Sequence, residues 1–326
     1  MNETTAHILA LLRAEPEWVS GEDIGVRLEI SRAAVSKQIA LLRKDGYTIE
    51  SSPRRGYLLR NAPNTPNAAE VTPRLITQSF GRPLVYTRET DSTNGRASEM
   101  ARNGAASGAT VVADRQTAGR GRFQREWFSP SGSNLYVSVI LRPTVHPARI
   151  GQLPLVAAAA LVEVLDREWP SLGAGIKWPN DILVGGRKVC GILCESEAEI
   201  DLLHYVGVGI GLNLNTRTFP PKLRRIATSI RAATGLEVDR PALLANLLNV
   251  FEPLYERWLA APDLSPLVPF LEERSALRNR EVVVTNVRGK IRGRAGGIAP
   301  DGSLVLETRN GPVTVTSGDV TLTPNP

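Results

Sequence analysis

The sequence predicts a multidomain α+β protein: a helix-turn-helix with a β wing, then a mixed-sheet α/β domain, then a small all-β barrel. Three observations predict it. Helix-period apolar spacing and capping residues dominate the first 44 residues. Strand-like runs alternate with helical ones through the middle of the chain. From Glu281 on, short apolar runs are separated only by Asn, Gly and Asp turns. A chain of 326 residues exceeds one typical domain and buries a sizeable core without staples. The boundaries are drawn at 1–62, a linker at 63–70, then 71–276 and 277–326.

At the N-terminus, Thr4–Arg13 reads as a helix with Ile8, Leu9, Leu11 and Leu12 on its apolar side. Ser20 caps a second helix over Ile24–Leu28, with acidic Asp23 three residues on. Ser31 caps a longer one, Arg32–Lys44, which Gly46 stops. Tyr47–Glu50 and Gly56–Arg60 then flank Ser51-Ser52-Pro53-Arg54-Arg55, a hairpin with a basic tip. Charge separates along this stretch. Residues 1–30 hold two basic against six acidic side chains, −4; residues 31–60 hold seven against two, +5. The positive charge falls on the second helix of the pair and the wing, as phosphate binding requires. Ser31, Arg32, Ser36, Lys37, Arg54 and Arg55 are therefore candidates for DNA contact, the alternative being a small protein–protein module.

Asn61–Ala69, rich in Pro and Asn, reads as a linker. Val71–Ser79 is expected as a short helix and Pro83–Arg88 as a strand. Asp91, Ser92 and Thr93 precede a helix over Gly95–Arg102; they cap it, or hold an anion at its N-terminus. Between strands at Ala109–Ala113 and Leu135–Leu141 lies the most distinctive stretch, Gln116-Thr-Ala-Gly-Arg-Gly-Arg-Phe-Gln-Arg-Glu-Trp. Gly119 and Gly121 alternate with Arg120 and Arg122, and Arg125 follows. Glycines let the backbone approach a ligand closely, and arginines offer a fork of donors to carboxylate or phosphate. The loop is a small-anion clamp or, on these residues alone, a solvated basic hairpin.

Pro154–Trp169 reads as a buried helix, Ile176–Val184 as a strand with Pro179 at an edge or bulge, and Gly185-Gly186 as a hairpin turn. Val189–Glu195 and Asp201–Gly209 are strands, the latter continuing through Asn213. Pro241–Ala260 and Leu264–Glu273 are helices. Lys188 is either a surface hairpin lysine or a cation for a carboxylate or phosphate.

Several classes are excluded or left open. Gly209-x-Gly211 lacks the third glycine and following helix of a dinucleotide fingerprint. No Gly-Lys-Ser/Thr and no Gly-x-Ser-x-Gly occurs, so an enzyme nucleophile has no support. Cys190 and Cys194 make no disulfide framework, and the three histidines are isolated, so no metal ligands are assigned. Leu153–Val164 is too short to span a bilayer and contains Glu163; with no basic segment before an apolar run at the N-terminus, the cytoplasm is expected. A net charge of +6 and pI near 9.6 allow an anionic partner without choosing one.

With these motifs assembled, the chain resembles the family of bifunctional biotin–protein ligases and biotin operon repressors. The resemblance runs nearly end to end. It is carried by Ser31-Arg-Ala-Ala-Val-Ser-Lys, Asp91-Ser-Thr-Asn, Gln116, Gly119-Arg-Gly-Arg with Arg125 and Trp127, Lys177-Trp-Pro-Asn-Asp-Ile, Gly186-Arg-Lys-Val-Cys-Gly-Ile and Gly209-Ile-Gly-Leu-Asn, in the family's order. It implies a catalytic domain of the biotin/lipoate ligase type and an SH3-like C-terminal barrel. It implies ATP, Mg²⁺ and biotin as the ligands. Ser92, Thr93, Asn94, Gln116, Gly119, Gly191 and Gly209 would bind biotin. Arg120 and Lys188 would meet the biotin carboxylate and the phosphate, Arg122 would close over the adenylate, and Trp127 would pack over the ligand. Lys188, Arg120 and Arg122 are thus the implied catalytic cations. Asn180, Asp181 and Asn213 would sit at the nucleotide, Asp181 helping to place Mg²⁺ or the phosphate loop.

The implied reaction activates biotin with ATP to biotinyl-5′-AMP and transfers it to a lysine of a biotin carrier protein. The implied second role is repression of biotin synthesis at operator DNA by a ligand-dependent homodimer, with no membrane partner. A lipoate or octanoyl ligase, and a ligand-sensing repressor without ligase activity, are the alternatives. One departure stands out: the family loop commonly continues with Arg-Gly-Arg, where this chain has Phe123-Gln124-Arg125. The loop is expected to be less permissive there, which bears on any coupling between loop ordering and dimerisation.

Overall fold

The computed structural model describes residues 2–322. Contacts divide the chain into two compact units, Met1–Thr65 and Pro66–Pro326.

The first unit contains α1 (Glu3–Ala14), α2 (Gly21–Arg27), α3 (Arg32–Lys44) and the antiparallel hairpin β1 (Thr48–Ser52) and β2 (Gly56–Asn61). The helices start where capping chemistry places them. The side chains of Asn2, Ser20 and Ser31 accept from the amides of Thr5, Glu22 and Ala34. Ile8, Leu9, Leu12, Ile24, Val35, Ile39 and Leu42 make the core, joined by Ile49 and Leu58 from the hairpin. Val19 and Tyr57 exchange backbone hydrogen bonds, both 2.8 Å, which fastens the chain before α2 to the wing. Gly56 is required there: at φ +98, a Cβ would lie 2.0 Å from the Val19 carbonyl oxygen.

The second unit begins with α4 (Ala68–Val71), capped by Asn67, and a 3₁₀ turn at Thr72–Arg74. Next come β3 (Leu84–Thr90), α5 (Thr93–Arg102), β4 (Thr110–Gln116), β5 (Leu135–Leu141) and α6 (Leu153–Glu168). Four strands follow: β6 (Gly175–Lys177), β7 (Asp181–Val184), β8 (Arg187–Ala198) and β9 (Leu203–Leu212). Then come α7 (Ile230–Thr234), α8 (Arg240–Ala260) and α9 (Val268–Glu273). The sheet order is β3-β4-β5-β9-β8-β7-β6. Only β3 and β4 run parallel, and α5 is the crossover between them. α5 buries Ala97 and Ala101 with Val111, Ile140 and Tyr205 on one sheet face. α6 and α8 cover the other, where Val112, Val137, Val139, Ile192 and Val208 join their Leu, Val and Ala side chains. Pro147–Glu168 is long and apolar enough to cross a membrane by length and composition, and it forms part of this core.

Two expectations change here. The helix expected over Val71–Ser79 is the shorter α4, which starts inside the expected linker. Residues 76–80 are instead captured by α8. Glu252 accepts from the amides of Gln78, Ser79 and Phe80 at 2.7, 2.7 and 2.9 Å, and Asn249 accepts from Ile76 at 2.9 Å. Burial works to raise the Glu252 pKa, but these amides and the Ser79 hydroxyl hold it below its ordinary value. The single strand expected over Ile176–Val184 is the hairpin β6–β7, with Lys177 opposite Asp181. Trp178 breaks it: the ring is 2% exposed and its Nε1 donates to the Gly302 carbonyl at 2.9 Å. Pro179 has no amide for a ladder.

The C-terminal part carries β10 (Glu281–Asn286), β11 (Gly289–Ile298), β12 (Leu304–Thr308), β13 (Gly311–Val315) and β14 (Asp319–Leu322). They form an antiparallel sheet ordered β13-β12-β11-β10-β14. The expected strands are all present. Their ladders describe a five-stranded sheet, and no ladder joins β13 to β14 among the described residues, so closure into a barrel is not part of the observed pairing.

Candidate active site

A cleft of about 630 Å³ opens where the loop after β4 folds over β8 and β9. Its floor is a crossing of glycines. Gly191 of β8 pairs with Gly211 of β9, and Leu193 pairs with Gly209. None of the three glycines has a positive φ. They are there for space: a Cβ at 209 would lie 2.3 Å from Asn94 Oδ1, and one at 211 would lie 2.5 Å from Trp127 Nε1. The Trp127 ring lies on this pair, with its Nε1 buried and without a hydrogen-bond partner.

One end of the cleft is neutral and polar. Ser92 caps α5, its Oγ 3.5 Å from the Gly95 amide. Thr93 donates its amide and hydroxyl to Gln116 Oε1 at 2.8 and 3.1 Å, and Gln116 Nε2 donates to Ser129 Oγ at 3.1 Å. Gln116 is thereby fixed by its neighbours. Asn94 is buried and fully engaged: it donates to Leu193 O and Glu195 Oε2 and accepts from Ser138 Oγ at 2.6 Å. It holds α5 against the sheet. Asp91 accepts from the Ser92 amide at 2.6 Å and from Thr90, which holds its carboxyl below the usual range.

The other end is cationic. Lys188 Nζ lies 2.6 Å from Asp181 Oδ1 and 5.1 Å from the centre of the Trp127 ring. Arg120 lies toward the polar end, 3.7 Å from the Glu195 carboxylate that Asn94 bonds. Arg122 is half-buried and donates to Asn180 Oδ1 at 3.3 Å and to the Gly318 carbonyl at 3.0 Å. Burial lowers its pKa, partly offset by Asp319 and Asp181. Asn180 donates to Ile192 O at 2.7 Å, and Asn213 to Thr228 O at 3.1 Å. Cys190, beneath this end, is buried and its thiol is pushed far up, so it offers no thiolate nucleophile.

Comparison with known proteins places this arrangement. The chain is 38% identical to the bifunctional ligase/repressor BirA of Bacillus subtilis over 95% of both chains. It is 32% identical to that of Escherichia coli over 94% of this chain and 93% of the other. The chain belongs to this ligase/repressor family. Family models assign residues 86–213 to the biotin/lipoate A/B protein ligases, 4–58 to a helix-turn-helix domain and 279–322 to the biotin protein ligase C-terminal domain. A biotin protein ligase from Aquifex aeolicus, solved with biotin and ATP, superposes with a TM-score of 0.64 at 30% identity; the match covers 74% of this chain and 98% of that one.

The site residues expected from sequence line this one cleft, with a single exception. Gly119 lies behind it, where a Cβ would come 2.8 Å from Gln116 Nε2 and Ser129 Oγ. The sequence reading missed two walls. Phe219, Leu223, Arg225 and Ile226 form one, on the irregular segment before α7. Asp319–Leu322 of β14 form the other. The first had a Pro-rich loop signal but no site signal. The second lies more than 90 residues beyond the rest of the cleft's lining, and the C-terminal sheet brings it there.

On the N-terminal unit, Arg32, Ser36 and Lys37 are exposed on α3, and Arg54 is exposed at the wing tip. Ser31 is exposed but its hydroxyl caps α3. Arg55 stacks 4.2 Å over Trp18, which orients the wing.

Proposed function

We propose that this chain is an ATP-dependent biotin–protein ligase that also represses transcription. The observation that carries the reading is the cleft's polarity: a fixed polar end beside a glycine floor, Lys188 and Arg122 at the other end, and Arg120 beside Glu195 between them. A neutral fused ring with a carboxylate tail fits the first end. The tail and a nucleotide phosphate then meet at the second.

In the proposed reaction the biotin carboxylate attacks the α-phosphorus of ATP. The bond to the bridging oxygen breaks, and pyrophosphate leaves with the electron pair. Both partners are anions, so Lys188 and Arg120 act by drawing them together and stabilising charge on the phosphorus oxygens. Arg122 exchanges the Gly318 carbonyl for the adenylate phosphate. An acceptor lysine amine of a carrier protein then attacks the acyl carbon, releasing AMP. Loop closure excludes water from the mixed anhydride. Asn180 and Asn213 sit at the nucleotide end. Asn94 acts as a brace for Ser92 and Thr93.

Mg²⁺ fits this cleft as a passenger on the phosphates. Among the described residues no group of three His, Cys, Asp or Glu forms a cage. Asp181 is the carboxylate closest to Lys188, and Mg²⁺ commonly combines one carboxylate with substrate phosphates. When bound, it neutralises phosphate charge.

Pyrophosphate release tests the ligase reading. Biotin with ATP should drive it, and lipoate or octanoate with ATP should not. Release driven by lipoate, or none with either, overturns it. Operator binding is assigned to α3 and the wing, in a homodimer formed on ligand binding. Deleting residues 1–62 should abolish operator binding and spare pyrophosphate release; unchanged operator affinity overturns that assignment.

A further inference from the structure

Two of the anion loop's arginines end on the C-terminal sheet. Arg125 lies 2.6 Å from the Asp319 carboxylate at the start of β14, and Arg122 donates to the Gly318 carbonyl beside it. The loop itself is a narrow hairpin. Gly121 donates to the Arg125 carbonyl at 2.7 Å and Trp127 to that of Gly119 at 2.8 Å. Its tip, Arg122–Gln124, buries no side chain fully. Phe123 and Gln124 both have φ 57, and Phe123 is 62% exposed. The guanidinium carbons of Arg122 and Arg125 lie 5.1 and 5.7 Å from its ring centre. The tip therefore has no apolar anchorage of its own. The acceptors at 318 and 319 are held firmly by comparison. Asp319 pairs with Thr285 in the sheet, and a Cβ at Gly318 would lie 2.5 Å from Val284 Cγ1.

We propose that Asp319 is a positioning residue that tethers Arg125, so that the C-terminal strand holds the anion loop over the cleft. The two arms divide the work. Arg122 faces neutral acceptors, a carbonyl and an amide oxygen, and a phosphate displaces these because charge-assisted hydrogen bonds are about twice as strong. Arg125 faces a carboxylate and keeps its partner while Arg122 changes hands. The C-terminal strand thus sets how long the loop stays shut, and with it how long a reactive acyl-adenylate is retained. The retention half rests on the ligase reading above; the tether does not.

The first measurement uses the full-length, ligand-free protein and limited trypsin, with mass spectrometry to follow cleavage after Arg122. Asp319→Asn should raise that rate about two- to fivefold, the range an exposed ion pair supports. The double exchange Arg125→Asp with Asp319→Arg should bring it back to within about twofold of the original. Unchanged cleavage in Asp319→Asn overturns the tether. So does a double exchange that folds, by circular dichroism, yet is nicked as fast as the single variant. The second measurement is biotin attached to bystander albumin in the presence of ATP. Asp319→Asn should raise it by a similar factor at unchanged KM for biotin. Faster nicking without added stray labelling overturns the link to retention. If biotin drives no pyrophosphate release, the ligase reading fails while the trypsin result still judges the tether.

Discussion

The cleft's floor and its lid use glycine in opposite ways. On the floor, Gly191, Gly209 and Gly211 have ordinary strand backbones, yet Asn94 and Trp127 occupy the space a Cβ would need at 209 and 211, and one at 191 would press on Lys188 and Trp127 at 3.0 Å. In the lid, Phe123 and Gln124 hold φ 57, where glycine would relieve the backbone, and glycine is absent. A non-glycine residue in that region costs on the order of 1–3 kcal/mol. The floor is shaped by crowding and is rigid because it is a paired sheet. The lid is held at a backbone cost by contacts outside itself, at Asn180, Gly318 and Asp319. A glycine marks a site where space or backbone demands it, and only the three-dimensional surroundings tell which.

Four substitutions would break or sharpen this contrast. Lys188→Ala, at the floor's cationic end, should have the largest effect: adenylation slows about 10²-fold while biotin affinity changes far less. A rate within about tenfold of the parent, ~1.4 kcal/mol of barrier, would remove Lys188 from charge stabilisation. Arg122→Gly acts on the lid. Adenylate retention, measured by isolating the protein–adenylate complex over time, should shorten about tenfold, with stray lysine labelling rising in step. Undiminished retention would mean that the lid closes without this arm. Gly211→Ala tests whether the floor is limited by space. The added methyl meets the Trp127 indole, so about 1–3 kcal/mol of stability should be lost and the KM for biotin should rise. A variant with unaltered melting and KM would show that Trp127 swings aside freely. Gln124→Gly should have the smallest effect, a gain of about 0.5–1 kcal/mol in urea unfolding as the strained φ is relieved against the entropy of glycine. Destabilisation would show that the tip is not strained.

Much of the architecture was legible in advance because its signals are local. Ser20 and Ser31 cap helices by bonding amides two or three residues away. The basic loop, Lys188 and the Gly209–Asn213 run were likewise visible as residue types at fixed spacings. The misreadings were non-local. Residues 76–79 look helical until Glu252 and Asn249, more than 170 residues away, take amides there. Trp178 divides one apparent strand into two because its indole reaches Gly302. Phe123-Gln124 was legible as a departure from the family loop, and its expected stiffness has a physical counterpart in the two positive φ values.

By itself, the sequence determined most of the helices and strands, the charge asymmetry of the N-terminal unit and the run of glycines and cations that the family resemblance turns into an anhydride-forming site. Those follow from spacing, capping and side-chain chemistry, which act within a few residues. The tertiary structure alone decided that Gln116 is locked to Thr93 and Ser129, that Asn94 is a brace, and that Trp127 rests on a glycine pair. It alone brought Asp319 to Arg125. These contacts join segments 13 to 194 residues apart, and only sheet register and packing fix such distances.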